Sequence, residues 1–423
     1  MKKKEFLLII GIIAFGIIYS FFRNNDMGFY SGCSRSPRSL LSKSHPVDFP
    51  REEIKLSDSG ITKIEINNPA GDIKVEQSKD GSASIRPVIR VYHKDKEKAG
   101  SIADGVTVTS RKSGDKIVIG VDTEGKFLYR RIRVSLTCLI PAGIELEVKN
   151  RHGDIDIQDI SGDISIDQKY GDLFVKNVGS RVKAKNYKGL VRLYDIKDQI
   201  DLASQDSRIK IKNVSSIILS KCSKADVTIS DVSAETEILE SVLSNIEIEN
   251  AHYIFIESRH TGIKLKNITG GIRIKNSHAK ISMEDITGDL DISARQCHIV
   301  MDHVVSDNLV VKNSYNDIEI SGYSGRFLDI LQEYGRLDLS VDNVEEKINI
   351  KTRHGDVNLE YPASMKPSFN ITADNGKIIN RTSSQFTVLE ERQKRILNTA
   401  EQKPDTIIDT LYGDVKLENS RKQ

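Results

Sequence analysis

The chain has 423 residues, more than one ordinary domain holds, and its 62 Lys+Arg against 60 Asp+Glu leave it nearly neutral. That balance excludes a whole-chain preference for polyanions such as nucleic acid; the absence of Trp, with only 6% aromatics, disfavours an aromatic platform for sugars or single strands, a role left to Tyr. Four scattered cysteines, Cys33, Cys138, Cys222 and Cys297, show neither a CxxC pair nor metal-type spacing.

At the amino terminus, Lys2, Lys3 and Lys4 precede an apolar run from Phe6 to Phe22, followed by Arg23-Asn24-Asn25-Asp26. Its 17 residues sit at the short end for a membrane-spanning helix and the long end for a signal-peptide core. The bulky ending Tyr19-Ser20-Phe21-Phe22 lacks a small-x-small cleavage pattern and favours an uncleaved anchor over residues 1–23, with cleavage left open. The lysine cluster places the amino terminus in the cytoplasm and the bulk of the chain outside. Residues 24–50, with Gly28, Gly32, Pro37, Pro46 and Pro50, read as a flexible tether. Residues 51–150 hold irregularly spaced strand patterns, among them Ile61–Ile66, Ile73–Val75 and Ile132–Leu136, expected to form a more antiparallel β cap.

From Gly153 to Leu359 one phrase recurs every nine positions: two apolar residues separated by a polar one. The pairs run Ile155/Ile157, Ile164/Ile166, Leu173/Val175, Val182/Ala184, Val191/Leu193, Ile200/Leu202, Ile209/Ile211, Ile218/Ser220 and Val227/Ile229. Such alternation marks strands with one buried face. Two strands and two corners make an eighteen-residue coil, so strand n lies over strand n+2, in parallel, about 4.8 Å away. The expected fold is all-β: a parallel two-sheet β-solenoid over residues 151–361, of about eleven to twelve coils, with a C-terminal cap over 362–423 and the N-terminal transmembrane helix before it. Handedness is not readable from the pattern. Asp or Asn recurs at 159, 177, 195, 213, 231, 267 and 285, a column expected to tie down corner amides. Gly-Asp at 153–154, 162–163, 171–172 and 288–289 suits tight bends, and the charged stretch Leu389–Lys403 reads as an excursion or short helix.

The junction Ile140-Pro141-Ala142-Gly143-Ile144-Glu145-Leu146-Glu147-Val148, running into His152-Gly153-Asp154-Ile155-Asp156-Ile157, resembles a widespread bacterial family of "putative adhesins". The late unit Tyr412-Gly413-Asp414-Val415 fits the same pattern, and the resemblance covers about Ile61 to Glu418. It implies a β-solenoid exposed at the cell envelope, often membrane-tethered, sometimes tied to envelope stress or adhesion, with no catalytic residues to carry over. The middle section, Ser204–Glu257, departs from the family: corner glycines give way to Ser207, Ala225 and Leu243.

Outward positions of one sheet gather Lys176, Arg192, Lys210 and Lys212, with Tyr194 and Phe174 among them. Like charges stacked one coil apart repel, so an anionic partner would relieve them: teichoic acid, lipopolysaccharide or phospholipid headgroups. Lys264, Lys266, Arg273 and Lys275 form a lesser cluster. His260 and His278 fall in one corner column near Cys297, a set that invites a metal, yet the same column admits Tyr170, Lys188, Tyr315 and Tyr334 and so has no ligand requirement. The corner Asp residues serve every coil, whereas a catalytic pair is unique within a fold. No phosphate-cradling Gly loop or Gly-x-Ser-x-Gly elbow occurs. The expectation is a non-enzymatic, membrane-anchored extracytoplasmic surface without metal or cofactor. Its partners would be the cell membrane, anionic envelope polymers or another envelope protein, and not nucleic acid. An envelope-stress sensor and a polysaccharide-active parallel β-helix are the alternatives.

Overall fold

A computed structural model describes residues 45–56, 60–122, 131–382, 387–388, 394–397 and 403–420. The expected anchor over 1–23, most of the tether, Cys33 and most of the stretch Leu389–Lys403 lie outside them. Among the described residues no helix is long and apolar enough to cross a membrane.

The chain is an all-β solenoid of about 11 turns at about 19 residues per turn. One sheet, here the front sheet, stacks Ile155–Ile160 on Leu173–Val178 and continues in parallel through residues 189–196, 207–214 and Asp226–Val232. The back sheet stacks Glu145–His152, Ile164–Tyr170 and residues 182–188 in the same manner. The alternation of the sequence becomes two inner rows per sheet: Ile155, Ile157, Leu173, Val175, Val191, Leu193, Ile209 and Ile211 are each at most 2% exposed. A third inner row, Ile160, Val178, Ile196, Val214 and Val232, fills the corner after the front strand.

One pair differs from the expected Ile218/Ser220. Ile217 and Leu219 are fully buried beneath Ile200 and Leu202, while Ile218 stands opposite Asp201. A register shift after Leu202/Leu219 then puts Cys222 beside Ser204 and restores phase. A one-residue slip exchanges the two faces of a strand, so pairing Ile218 inward would have buried Ser220 and exposed Leu219. Later coils are longer than eighteen: Ile299, Ile318, Leu337 and Val357 stack at spacings of 19, 19 and 20.

The Asp/Asn column turns the chain through left-handed backbone. Asp159, Asn177, Asp195, Asn213, Asp231, Asn250, Asn267 and Asp285 all have φ between 52° and 58°, a region these two side chains tolerate. Their side chains bond to one another rather than to corner amides. Asn177 Nδ2 donates to Asp159 Oδ1 at 2.6 Å, Asn213 to Asp195 at 2.7 Å, and Asn250 to Asp231 at 2.9 Å. Alternating amide with carboxylate keeps like charges from stacking on adjacent coils. The amide-capping role belongs instead to the aspartates of the Gly-Asp repeats. Asp154 Oδ1 accepts from the Asp172 amide at 2.8 Å, Asp172 from Leu190 at 2.9 Å, Asp289 from Asn308 at 2.9 Å and Asp356 from Asp414 at 2.8 Å. Each carboxylate serves the next coil's backbone, which accounts for its repetition.

The middle section loses its glycines for a conformational reason. At Gly153, Gly171 and Gly189 the corner residue has φ of 133° to 146°, accessible to glycine. From Asp206 onward the left-handed residue moves one position earlier, to Asp206, Lys224, Leu243, His260, His278 and Gln296 with φ of 50° to 62°, so side chains fit. Ser207, Ala225 and Ser244 then occupy the glycine positions, and Leu243 holds the left-handed one.

Neither end follows chain order. Lys63–Asn68 lies between Lys116–Asp122 and Glu145–His152, and Ile73–Gln77 between Ile132–Ile140 and Ile155–Ile160, all parallel. Parallel coiling therefore includes segments of residues 51–150, the stretch expected to be more antiparallel. Among the described residues antiparallel pairing is confined to the covers. At this end these are Ala83–His93 on Ile132–Ile140, His45–Pro50 and Ile54–Leu56 on Ala83–His93, and Thr107–Ser113 on Lys116–Asp122; at the other, Lys394–Leu397 on Ser368–Ala373 and on Thr387–Val388. At the other end Asp405–Tyr412 lies between residues 347–354 and Ser368–Ala373, and Val415–Asn419 between Val357–Tyr361 and Ile378–Arg381. A short helix, Lys96–Asp104, capped by the Asp95 carboxylate on the Glu97 and Lys98 amides, buries Ala99 and Ala103 beside the N-terminal cover.

Where the inserted first coil meets its neighbours, Glu65 is 8% exposed and is held by Lys116, Asn67 and Lys149. These partners, Lys116 foremost, push its pKa from the ordinary 4.5 down to about 2. A depressed carboxylate contributes stability above its unfolded pKa and loses it as pH falls through the folded value. Glu65→Gln is expected to cost about 1–2 kcal/mol near pH 7, discounted for partial solvent screening, with the deficit shrinking between pH 4.5 and 2. Denaturant titrations across that window measure it; a deficit independent of pH would contradict the assignment.

Candidate functional site

Because front-sheet strands stack in register, their outward residues form rows along the rod. One row reads Phe174, Arg192, Lys210; the next reads Lys176, Tyr194, Lys212. Three consecutive coils thus bring all five sequence-predicted residues, Lys176, Arg192, Lys210, Lys212 and Tyr194, onto one patch, with Phe174 at its corner. Arg192 lies over the Phe174 ring, 5.1 Å from its centroid, and Phe174 meets Tyr194 edge-on at 6.0 Å. Stacking on the ring presses the guanidinium stem down, so that Arg192 Nε is buried without a hydrogen-bond partner. Lys176 and Lys210 are exposed and form no ion pair among the described residues; Lys212 reaches Asp231 at 3.6 Å. In the following coil Thr228 and Ser230 stand opposite Lys210 and Lys212, with Asp226 opposite Arg208 and Asp231 beside Lys212, so Lys176, Arg192 and Lys210 keep their positive charge unpaired.

The lesser cluster does not hold together. Lys264 and Lys266 stand on the front sheet, Arg273 and Lys275 on the back sheet. Lys264 is neutralised by Glu247 at 2.7 Å, Lys266 by Glu284 at 2.8 Å, and Arg273 faces Asp291 at 3.7 Å. Lys275 alone of the four has no acidic partner among the described residues. It belongs to a groove of about 680 Å³ on the back sheet, with Arg259, Arg295 and Lys312. Sequence reasoning missed that group because its charges alternate between two rows; the outward positions at spacings of 18 or 19 residues would have disclosed it.

The corner histidines form stacks rather than ligand sets. His260 and His278 lie ring on ring at 4.6 Å, while Cys297 is buried one position inward of Gln296, their successor in the column. His152 stacks on Tyr170 at 4.9 Å, and Tyr315, Tyr334, His354 and Tyr412 make a continuous pile at 4.7 to 4.9 Å. The ring spacing matches the coil rise, so periodicity alone builds the pile. Among the described residues no group of three His, Cys, Asp or Glu is placed to hold a metal. Burial pushes the thiol of Cys138 up to about 12 and that of Cys222 up to about 11, which keeps both protonated and unreactive. The front patch presents unpaired cations, and the groove is a separate, concave surface on the back sheet.

Solved structures that match include a "putative adhesin" from Bacteroides fragilis, 13% identical over 63% of this chain and 97% of that one, with a TM-score of 0.32. A "putative lipid binding protein" from Parabacteroides distasonis matches at 12% identity over 88% of this chain and 97% of that one, TM-score 0.24. A "putative cell adhesion protein" from Clostridium sporogenes matches at 7% identity over 89% and 100%, TM-score 0.17. Overlap this slight carries no weight for what the chain binds. No curated protein matches in sequence. The family model described as Toastrack DUF4097 matches twice, over residues 61–298 and 217–418, and between them the matches span the coils and most of both ends. The chain belongs to the Toastrack DUF4097 family.

Proposed function

We propose that the chain is a non-enzymatic binding surface of the bacterial envelope, held to the cell membrane by its apolar run Phe6–Phe22 with the solenoid outside the cytoplasm. Its front patch would take anionic groups, whether of envelope polymers or of lipid headgroups. The observation that supports this is the contrast within one face: Lys264 and Lys266 are matched by acids, whereas Lys176, Arg192 and Lys210 are left without any. An unmatched cationic patch is destabilised by its own repulsion and is relieved by an anion. Rigid stacked strands fix the charges at regular spacing, which favours repetitive ligands over single ions.

In the full chain, Lys210→Glu with Lys212→Glu is expected to weaken binding to anionic phospholipid vesicles or to soluble teichoic acid at least tenfold. The wild-type affinity should fall as salt is raised. Binding that survives the double reversal would remove the proposal. Fractionation tests the anchor independently: the full chain should sediment with membranes, and a chain lacking residues 1–23 should not.

A further inference from the structure

Each coil turns at two corners, on opposite edges of the rod. One corner carries the Asp/Asn column, with Asp159, Asp195, Asp231 and Asp285. The other follows the back strand, and three rows of outward side chains run along it. The first row, on the strand, reads Lys275, Ser293, Lys312, Leu331, Lys351. The second, two residues on, holds Arg259, Arg295 and Arg353. The third is the corner itself, with Leu243, His260, Tyr334, His354 and Tyr412. Toward the N-terminal end the same rows hold Lys169, Lys185, Lys188, Lys221 and Lys224.

From Asp167 to Tyr412 this edge thus presents eleven lysines and arginines, all exposed and none in an ion pair among the described residues. Its acids are six: Asp167, Asp206, Glu240, Glu257, Glu333 and Asp409. The edge also gathers most of the exposed apolar surface. All four exposed leucines among the described residues, Leu239, Leu243, Leu331 and Leu411, lie on it. So do five of the six exposed tyrosines: Tyr170, Tyr187, Tyr315, Tyr334 and Tyr412. Leu243 is 56% exposed and Leu331 48%. The strip is straight and, at eleven coil rises, about 50 Å long.

An exposed apolar side chain standing alone is ordinary, but a row of them among cations marks a contact surface. Three observations select what it meets. A soluble polyanion would satisfy the cations and leave the leucines in water. The rings of Tyr315, Tyr334, His354 and Tyr412 lie face to face at 4.7 to 4.9 Å, so their edges point outward and no face is open to a sugar or a base. The aspartates of the opposite corner give the rod a charge polarity that turns its basic edge toward an anionic plane.

We infer that this edge lies on the surface of an anionic phospholipid bilayer, with the rod parallel to the membrane. Lysines and arginines reach the headgroup phosphates, while leucines and tyrosine rings enter the layer between the phosphates and the acyl chains. The inference rests on the proposed anchor for attachment alone: the run Phe6–Phe22 holds the chain, and this salt-dependent contact sets how the rod lies. It leaves the front patch to soluble polymers, so teichoic acid reads that patch apart from the edge.

The chain has no Trp, so a single introduced indole reports its own position. In the full chain, Leu239→Trp and Leu331→Trp mark two points of the edge, about five coil rises apart, and Tyr194→Trp marks the front sheet. Each is mixed with phosphatidylglycerol vesicles whose acyl chains are brominated near the headgroup, which quenches indoles in that layer. Both edge indoles should lose about half of their emission or more at low salt, and Tyr194→Trp little. Adding Lys275→Glu and Lys312→Glu to Leu331→Trp should restore the emission, as should high salt or brominated phosphatidylcholine. Circular dichroism and melting check the fold of each variant. Flotation with the vesicles at high salt tests the anchor alone; unquenched edge indoles at low salt overturn the edge whether or not the chain floats. Quenching at only one edge position, or at Tyr194→Trp instead, overturns the parallel placement. Quenching that the two charge reversals leave unchanged overturns the role of the cations. An emission change of Leu331→Trp with soluble teichoic acid but not with vesicles overturns the bilayer as the occupant.

Discussion

Removal of residues 404–423 is expected to unravel the C-terminal end of the rod rather than shorten it by one coil. Asp405–Tyr412 and Val415–Asn419 come last in the chain but not last in space. They are flanked on one side by residues 347–361 and on the other by Ser368–Ala373 and Ile378–Arg381. Their deletion strips both sheets of their pairing on two sides at once. It also removes Ile408, Val415 and Leu417, all fully buried, each side chain worth roughly 1.5–3 kcal/mol of apolar burial. Residues 368–381 should then lose amide protection in hydrogen-exchange experiments, and the exposed edges should drive association visible by light scattering. A monomeric truncated chain with 368–381 as protected as before would mean that the outer coil slides down to close the gap. That result would remove the inserted coil as the keystone of this end.

The same insertion at the other end, with Lys63–Asn68 and Ile73–Gln77 one coil inside Lys116–Asp122 and Ile132–Ile140, gives the arrangement a physical reading. Chain ends fray first, and a fraying terminal coil leaves an open sheet edge. Placing the first and last coiling segments second in the stack means that fraying must break two ladders rather than one. The outermost coils, by contrast, are tied at both ends by continuing chain and carry antiparallel covers: Ala83–His93 and Thr107–Ser113 at one end, Lys394–Leu397 at the other.

The rows of the solenoid were legible in the sequence because each inward Ile, Leu or Val is fixed by a local rule, alternation within a strand, repeated at a constant period. The front patch followed from the same arithmetic, which is why Lys176, Tyr194 and Lys212 fall in one row and Arg192 and Lys210 in the next. Legibility failed where the local rule had no unique answer. In Ile217-Ile218-Leu219 three apolar residues in succession permit either phase, and burial of Leu219 rather than Ser220 decides between them. Lys264, Lys266, Arg273 and Lys275 are neighbours in the chain, yet half a coil carries the last two to the opposite sheet. The order of coils at the ends is a choice among parallel partners with equivalent patterns, and nothing local to Lys63–Asn68 or Asp405–Tyr412 records it. The groove escaped notice because its cations, Arg259, Lys275, Arg295 and Lys312, alternate between two outward rows and so form no run in either.

The Gly153, Gly171 and Gly189 column should be the least tolerant of substitution in the N-terminal half of the rod. A Cβ added at Gly171 would sit 2.1 Å from Gly153 O and 2.6 Å from Gly153 C; one at Gly189 would sit 2.0 Å from Gly171 O. Each carbonyl thus occupies the space that a side chain on the next coil would need, and the atom met is backbone, which cannot swing aside. The φ of 137° at Gly171 adds a conformational cost of about 1–3 kcal/mol for any other residue. Gly171→Val is therefore expected to destabilise the protein by at least about 3 kcal/mol, because strain and the parting of two coils add. Asp206→Gly supplies the contrast. Its φ of 50° is open to glycine, so that change should cost no more than about 1 kcal/mol. Denaturant melts of the two variants measure the difference. Parting the coils at Gly171 also displaces Phe174 and Lys176, which follow on the same strand, so binding at the front patch should weaken in Gly171→Val and persist in Asp206→Gly. Equal stability of the two variants would show that the close approach of successive coils at these glycines does not hold the rod together.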